Sequence, residues 1–397
     1  MYKFEKDQDT LIIQDKIIVN TAFDGGSIEV ISIEDVSNLQ FQLRKDTNSQ
    51  VNQWFYFQLN NILDEYLTIN IINLQNSTFP KAWHNYNICM SYNNEDWFRV
   101  DTTFINNVLS CSIESECNSI YIAYFTPYTY SRHCNFIARS NEVRFIRHHI
   151  LGQTIQGRPI DLLKLTIHDD ELFPTNQKIY KIWLIARQHS GESMSSWFIE
   201  GFITRLFNLD DSLVRTLLET VEFYIVPNMN PDGTYLGNLR GNALGLDLNR
   251  AWLDAKPDTV PEVYYVKEKI LELGADLFID IHGDEELDYV FTFSGQTQNG
   301  VSAKQLKFME LLNKYLPLIT PDYQTKEGYK IDHFDTEIHK LAPSWAANTL
   351  NCPSLCLEMP FKDNKFLPHI VTEWSAERSY LLGSNFVTLI NFLLKHL

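Results

Sequence analysis

The first ~130 residues alternate apolar and polar positions over short runs, the pattern of strands that bury one face. Ser27 to Ile33 (SIEVISI), Gln53 to Leu59 (QWFYFQL), Tyr66 to Leu74 (YLTINIINL) and Ser119 to Phe125 (SIYIAYF) are the clearest examples. Turn-prone clusters such as Asp24-Gly25-Gly26 and Tyr92-Asn93-Asn94-Glu95-Asp96 separate them. No stretch carries the 3.6-residue repeat of a long helix, so the pattern predicts an antiparallel β-sandwich. Ionisable residues do not cluster there, and no chemistry is expected from it.

The pattern changes after Tyr128-Thr129-Tyr130. From about Asn141, apolar runs alternate with longer helical stretches, which predicts an α/β domain. Lys178 to Ala186 (KIYKIWLIA), Val221 to Val226 (VEFYIV), Leu277 to Ile281 (LFIDI) and Ser354 to Leu357 (SLCL) read as buried strands. Ser195 to Asn208 reads as a helix, and a closing helix is expected within Val371 to Leu397. The expected division is therefore residues 1–130 and 131–397.

A chain of 397 residues suits two or three domains. Its 33 Lys and Arg against 50 Asp and Glu give a net charge of −17. Such a chain repels phosphates and anionic lipid, so neither nucleic acid nor a membrane surface is an expected partner. No run approaches the ~20 apolar residues of a transmembrane helix. The amino terminus (MYKFEKDQDTLIIQDKIIVN) scatters charges and lacks the apolar centre of a secretory leader, so a cytoplasmic protein is expected. The six cysteines form no CxxC pair; Cys352 and Cys356 read as small buried hydrophobes rather than metal ligands.

Ligands of open α/β sheets bind at the carboxyl ends of the strands. The first buried run is followed by Arg187-Gln188-His189-Ser190-Gly191-Glu192. The second is followed by Pro227-Asn228-Met229-Asn230-Pro231-Asp232-Gly233, then Arg240 and Asp247-Leu248-Asn249-Arg250. His282-Gly283-Asp284-Glu285 follows the third, and Glu358-Met359-Pro360-Phe361 the fourth.

A His-x-x-Glu spacing alone is common. Here it follows a buried strand, Gly191 lets the chain turn between the two residues, and a second histidine closes another buried strand. Two histidines and one carboxylate, with a position left for water, is the open coordination of catalytic zinc. Asp280 lies on the same side of its strand as His282, and Asp247 is a second carboxylate; either can accept a ligand histidine's ring N–H. Glu358, facing a zinc-bound water, is the natural general base. Arg240 and Arg250 follow a strand in an Asn-rich segment, and a guanidinium there binds a carboxylate bidentately. Together these features point to a peptidase that recognises a free C-terminus.

ARQHSGESMSSW (Ala186 to Trp197), NPDG (Asn230 to Gly233), GLDLNRAW (Gly245 to Trp252), DIHGD (Asp280 to Asp284) and CLEMPFKD (Cys356 to Asp363) resemble the zinc metallocarboxypeptidases, specifically the cytosolic carboxypeptidase subfamily and its bacterial members. The resemblance implies a twisted mixed sheet of about eight strands between helices, preceded by a small β domain. It implies one Zn2+ per chain held by His189, Glu192 and His282, and Glu358 as general base. Arg240 then polarises the scissile carbonyl, and Asn249 and Arg250 hold the substrate's terminal carboxylate. Asp247 stands behind the first zinc histidine. The substrate-capping tyrosine of the family falls to Tyr329, the nearest tyrosine before Glu358. Members that trim glutamate have an arginine in the specificity pocket; Asp332 to Asn351 has none, and His339 and Lys340 are cationic candidates within it.

The leading expectation is a carboxypeptidase that removes single residues from peptide or protein C-termini. The alternatives are a zinc amidase or deacylase acting on N-acyl amino acids or cell-wall peptides, and a binding protein with a vestigial metal site.

Overall fold

The structure, a computed structural model, describes residues 16–168, 178–297, 300–329 and 337–394. The stretch read for a leader before residue 16, residues 332–336 of the specificity segment and residues 395–397 of the segment read for a closing helix lie outside these.

Ten strands come first: β1 (Ile18–Asn20), β2 (Glu29–Ser32), β3 (Leu39–Gln42), β4 (Tyr56–Asn60), β5 (Tyr66–Ile72), β6 (Ile88–Ser91), β7 (Phe98–Val100), β8 (Thr103–Ile105), β9 (Val108–Glu114) and β10 (Ser119–Ala123). They form two sheets of order β1-β4-β10-β6-β7 and β2-β3-β5-β9-β8. The rings of Phe41 on β3 and Phe57 on β4 lie 4.9 Å apart and join the sheets across a shared core. In β5 the period is two: Leu67, Ile69 and Ile71 are buried while Thr68 and Asn70 are half exposed. One pair departs from the antiparallel expectation. β3 and β5 run parallel, from Leu39↔Ile69 to Gln42↔Ile72. Parallel neighbours need a crossover connection, and β4, in the opposite sheet, provides it.

After helix α1 (Tyr130–Ser140) the remaining strands are β11 (Ile146–Gln153), β12 (Pro159–Leu165), β13 (Tyr180–Ala186), β14 (Val221–Val226), β15 (Leu277–Asp284), β16 (Phe291–Ser294) and β17 (Ser354–Pro360). They build one sheet, β11-β12-β14-β13-β15-β17-β16, parallel from β14 to β17 and antiparallel at both edges. Among the described residues it has seven strands, where the resemblance implied about eight. Ile182 and Leu184 face a core shared with α2 (Ser193–Leu206), α3 (Ser212–Leu218), α6 (Ala303–Ile319) and α8 (Ala376–Leu394). Trp183 and Ile185 face α5 (Pro261–Leu273) and α7 (Ala342–Leu350) on the other side. The buried runs are therefore apolar on both faces, as expected of a covered parallel sheet. Helices α2 and α8 cross at glycines: a Cβ on Gly201 would stand 1.9 Å from the Tyr380 carbonyl oxygen, and one on Gly383 1.9 Å from that of Phe198.

The chain leaves β13 toward β14 on one side and later adds β15 on the other. The carboxyl ends of β13 and β15 thus flank a topological switch point, where α/β sheets bind ligands. Cys352 and Cys356 are buried, as read from the sequence. Among the described residues no helix is long and apolar enough to cross a membrane.

Candidate active site

Beyond β13 the chain turns at Arg187, whose φ of +66° lies in the left-handed region that side chains other than glycine rarely adopt. Its buried guanidinium secures the turn: Nε donates to the Ser190 carbonyl at 2.6 Å, and Nη1 to the Tyr128 carbonyl at 3.1 Å and to Ser196 Oγ at 3.0 Å. Burial lowers its pKa to about 10. Gly191 serves close approach, since a Cβ there would stand 2.7 Å from Leu239 Cδ1. The turn delivers His189 and, at the start of α2, Glu192.

His189, Glu192 and His282 are all buried, and each offers a ligand atom within 4.8 Å of the others. Glu192 Oε1 lies 2.6 Å from His189 Nδ1, and Oε2 lies 2.8 Å from His282 Nδ1 and accepts from the Gly283 N–H at 3.1 Å. Burial would raise Glu192, but the two histidines outweigh it and hold the carboxyl well below its usual range. Each histidine turns its other nitrogen to a carboxylate: His189 Nε2 to Asp247 Oδ1 at 3.1 Å, and His282 Nε2 to Asp280 Oδ2 at 3.0 Å. A carboxylate behind each outer nitrogen would hold that N–H and leave Nδ1 to ligate, so the donor set fits zinc in number and type. Burial opposes a charged His282, yet Asp280 and Glu192 raise its pKa well above the ordinary value. Gln188 braces this layer, donating to Asp280 Oδ2 at 2.7 Å and accepting from Trp252 Nε1 at 2.8 Å. Asp280, His282 and Cys356 converge as a second group, but it shares His282 with the first.

Glu358 is the register partner of His282 on the adjacent parallel strand. Its Oε1 accepts from the Tyr329 hydroxyl at 3.3 Å, and that hydroxyl also donates to Asp284 Oδ2 at 2.6 Å. Its Oε2 is buried with no hydrogen-bond partner among the described residues. Burial pushes the Glu358 pKa well up; His282 opposes this, while Glu192, Asp284 and Asp280 add to it.

The segment after α4 (Pro231–Leu236) carries the arginines. Arg240 Nε donates to Asp247 Oδ2 at 2.8 Å, so one carboxylate joins Arg240 to His189. Asn249 lies close to His282, Nδ2 to Nε2 at 3.3 Å, while its Oδ1 accepts from the Ala342 N–H at 2.9 Å. Arg250 turns outward, its Nε donating to Glu337 Oε2 at 3.0 Å. Glu337 also holds Lys340 at 2.8 Å.

All eight expected site residues line one cleft of about 620 Å³. Asp284, Glu285 and Glu286 line it too, as do Phe79 and Lys81 from the β-rich region. That region supplies no member of the metal-binding groups found among the described residues, but it does form part of the wall, which its alternating pattern gave no means of seeing. Gln188 and Asp284 were visible only as polar residues beside the motif histidines.

A family model described as zinc carboxypeptidase matches residues 137–374, and one described as the cytosolic carboxypeptidase N-terminal domain matches residues 19–125. A metallo-carboxypeptidase structure from Burkholderia cenocepacia superposes with a TM-score of 0.92 at 37% identity, covering 96% of this chain and 99% of that one. A Pseudomonas aeruginosa metallo-carboxypeptidase, in complex with (2-guanidinoethylmercapto)succinic acid, gives 0.90 at 35% identity over 95% and 99%. Cytosolic carboxypeptidase 6 of Caenorhabditis elegans is 26% identical over 89% of this chain and 80% of its own length. With the buried histidine–glutamate group at the switch point of a mixed sheet, these matches establish that the chain belongs to the zinc carboxypeptidases, hydrolases that act on the C-terminal peptide bond.

Proposed function

We propose that this chain removes single residues from the free C-terminus of peptides or proteins. In this reading His189, Glu192 and His282 hold one zinc ion and Glu358 is the general base. Arg240 steadies the scissile carbonyl oxygen, and Asn249 with Arg250 receives the terminal carboxylate. The observation that carries the reading is Glu358 Oε2, buried on the wall of the cleft that holds the histidines and without a partner among the described residues. Leaving a buried polar atom unpaired costs ~1–3 kcal/mol, and beside the histidines such an atom is placed to exchange a proton.

Zinc bound at the three ligands polarises a carbonyl as a Lewis acid and lowers the pKa of water to about 7. Glu358 Oε2 takes a proton from the attacking water and returns it to the leaving amine nitrogen. Tyr329, hydrogen-bonded to Oε1, orients the carboxyl so that Oε2 stays unengaged, and it borders the substrate on the same wall. Asp247 and Asp280 hold the outer ring nitrogens of His189 and His282, so both Nδ1 atoms aim at the ligand position. Asp247 also fixes the Nε end of Arg240, which keeps that guanidinium beside the metal ligands. That the similar Pseudomonas protein takes a guanidino-bearing succinic acid agrees with a site that receives carboxylates.

The β-rich sheets end at Ala123 and the large sheet begins at Ile146, which supports a domain division near residue 130. A cytoplasmic location is part of the same reading, supported by the six free thiols. The test is a peptide series differing only in the last residue, each with a free or an amidated C-terminus, followed by mass spectrometry. Loss of one residue from the free acids alone is the expected outcome. Equal hydrolysis of acids and amides would favour the amidase alternative.

A further inference from the structure

The segment between α4 and Leu248 has no helix or strand to support it, yet it carries Arg240 and Asp247. Its support comes from the β-rich region. Asp46, 4% exposed, accepts three successive backbone N–H groups, with Leu239 N to Oδ1 at 2.7 Å and Arg240 N and Gly241 N to Oδ2 at 2.7 and 3.1 Å. Consecutive N–H groups converging on one anion form a nest, and a carboxylate in a nest makes charge-assisted bonds. The neighbours of Asp46 extend the attachment. Thr47 N and Oγ1 donate to Asn238 Oδ1 at 3.0 and 3.1 Å, and Asn48 Nδ2 donates to the Ala243 carbonyl at 2.9 Å. Gly245, at φ +80°, lies against the same turn; a Cβ there would stand 2.3 Å from the Asn48 carbonyl oxygen.

We propose that Asp46 is a positioning residue for the reaction: from the N-terminal region it clamps the backbone of the Arg240 segment and thereby fixes both the Arg240 guanidinium and the Asp247 carboxylate behind His189. The inference rests on the role given to Arg240 above. The β-rich region, which supplies none of the candidate metal ligands among the described residues, in this way acts on the chemistry through one buried carboxylate. Sequence separation hides the link, since Asp46 and Arg240 lie 194 positions apart.

The test uses the full-length, zinc-loaded chain. Asp46→Ala removes all three acceptor contacts; Asp46→Asn keeps one carbonyl oxygen and should fall between Ala and wild type. Hydrogen exchange of amides 239–241 should quicken in Asp46→Ala. Its kcat on a free-acid peptide should fall about 10- to 100-fold, the scale of an ångström-sized misplacement of a catalytic group. KM should stay within about threefold and zinc near one per chain, because the lost interaction belongs to the transition state. In an Arg240→Ala background the same change should cost several-fold less than it does alone, since only its effect through Asp247 is left. If Asp46→Ala does not fold, Asp46→Asn and Gly245→Ala, which pushes the two segments apart, carry the same measurements. A lowered melting temperature with kcat per zinc unchanged would overturn the inference alone, as would full additivity with Arg240→Ala. No turnover by the wild-type chain would remove the functional reading and this inference with it.

Discussion

His282 and Glu358 are direct register partners on adjacent parallel strands, so a zinc-ligand candidate and the proposed base are set side by side by main-chain pairing. Neither depends on a loop for its position. Rigid placement matters because proton transfer requires hydrogen-bond reach at the moment of reaction. Glu358→Gln preserves size and the contact with Tyr329 but deletes the proton acceptor. Zinc content should remain at one per chain while kcat falls by at least the 10²–10⁴-fold typical of general acid–base catalysis. Turnover within tenfold of wild type would move the base elsewhere.

His282→Ala should lose most of the metal, because two protein ligands rarely hold zinc against a buffer. It also leaves Glu192 Oε2 and Asp280 Oδ2 without the ring nitrogens they now face. Metal analysis after gel filtration reads the outcome. Stoichiometric zinc in the variant would exclude His282 as a ligand.

The strand-end motifs were legible because each lies within a few residues of an apolar run, where local pattern and three-dimensional position coincide. β13, β14, β15 and β17 all appear in the sequence as such runs, and the metal group follows from what comes after them. The alternating N-terminal pattern revealed the sandwich but not the parallel pairing of β3 with β5, which depends on the path of β4 through the other sheet. Long-range partners were equally hidden. Nothing local to Asp46 announces its bonds to residues 239–241, nor does the run Phe79-Pro80-Lys81 suggest that Phe79 and Lys81 reach the cleft. The outward turn of Arg250 toward Glu337 was likewise invisible, since the clamp motif reads the same with or without a side-chain partner.

Glu262, at the start of α5, predicts a pH dependence of stability. It is fully buried, Oε1 has no hydrogen-bond partner among the described residues, and Oε2 accepts from Asn242 at 3.4 Å. Burial, with a smaller contribution from Asp232, pushes its pKa up to about 7 from the usual 4.5. The folded state therefore holds this proton more tightly than the unfolded chain. The associated stability is fully present below pH 4.5 and is lost as the pH rises through about 7. The loss amounts to roughly 3 kcal/mol, to order of magnitude. Glu262→Gln stays neutral throughout, so urea midpoints of the wild type should fall more steeply from pH 5 to 8 than those of the variant. Parallel curves would mean that Glu262 titrates normally.

The Arg250–Glu337 pair predicts opposite effects on substrate affinity. Arg250 Nε donates to Glu337 Oε2 at 3.0 Å, although its proposed ligand is the substrate's terminal carboxylate. Glu337 is 48% exposed on its side chain and shares its charge with Lys340, so the pair is a surface ion pair and readily exchanged. A substrate carboxylate would take over the guanidinium that Glu337 now occupies. Arg250→Ala removes an interaction present in both ground and transition states, so KM should rise with little change in kcat. Glu337→Gln removes the competing charge while keeping the side chain's length; KM should fall, by no more than about fivefold given how little such pairs contribute. Amidated peptides lack the carboxylate and should not respond to either variant. Raised salt should narrow the gap between wild type and Glu337→Gln, because screening weakens an exposed pair first. A rise in KM for Glu337→Gln would mean that Glu337 holds Arg250 ready for substrate rather than competing for it.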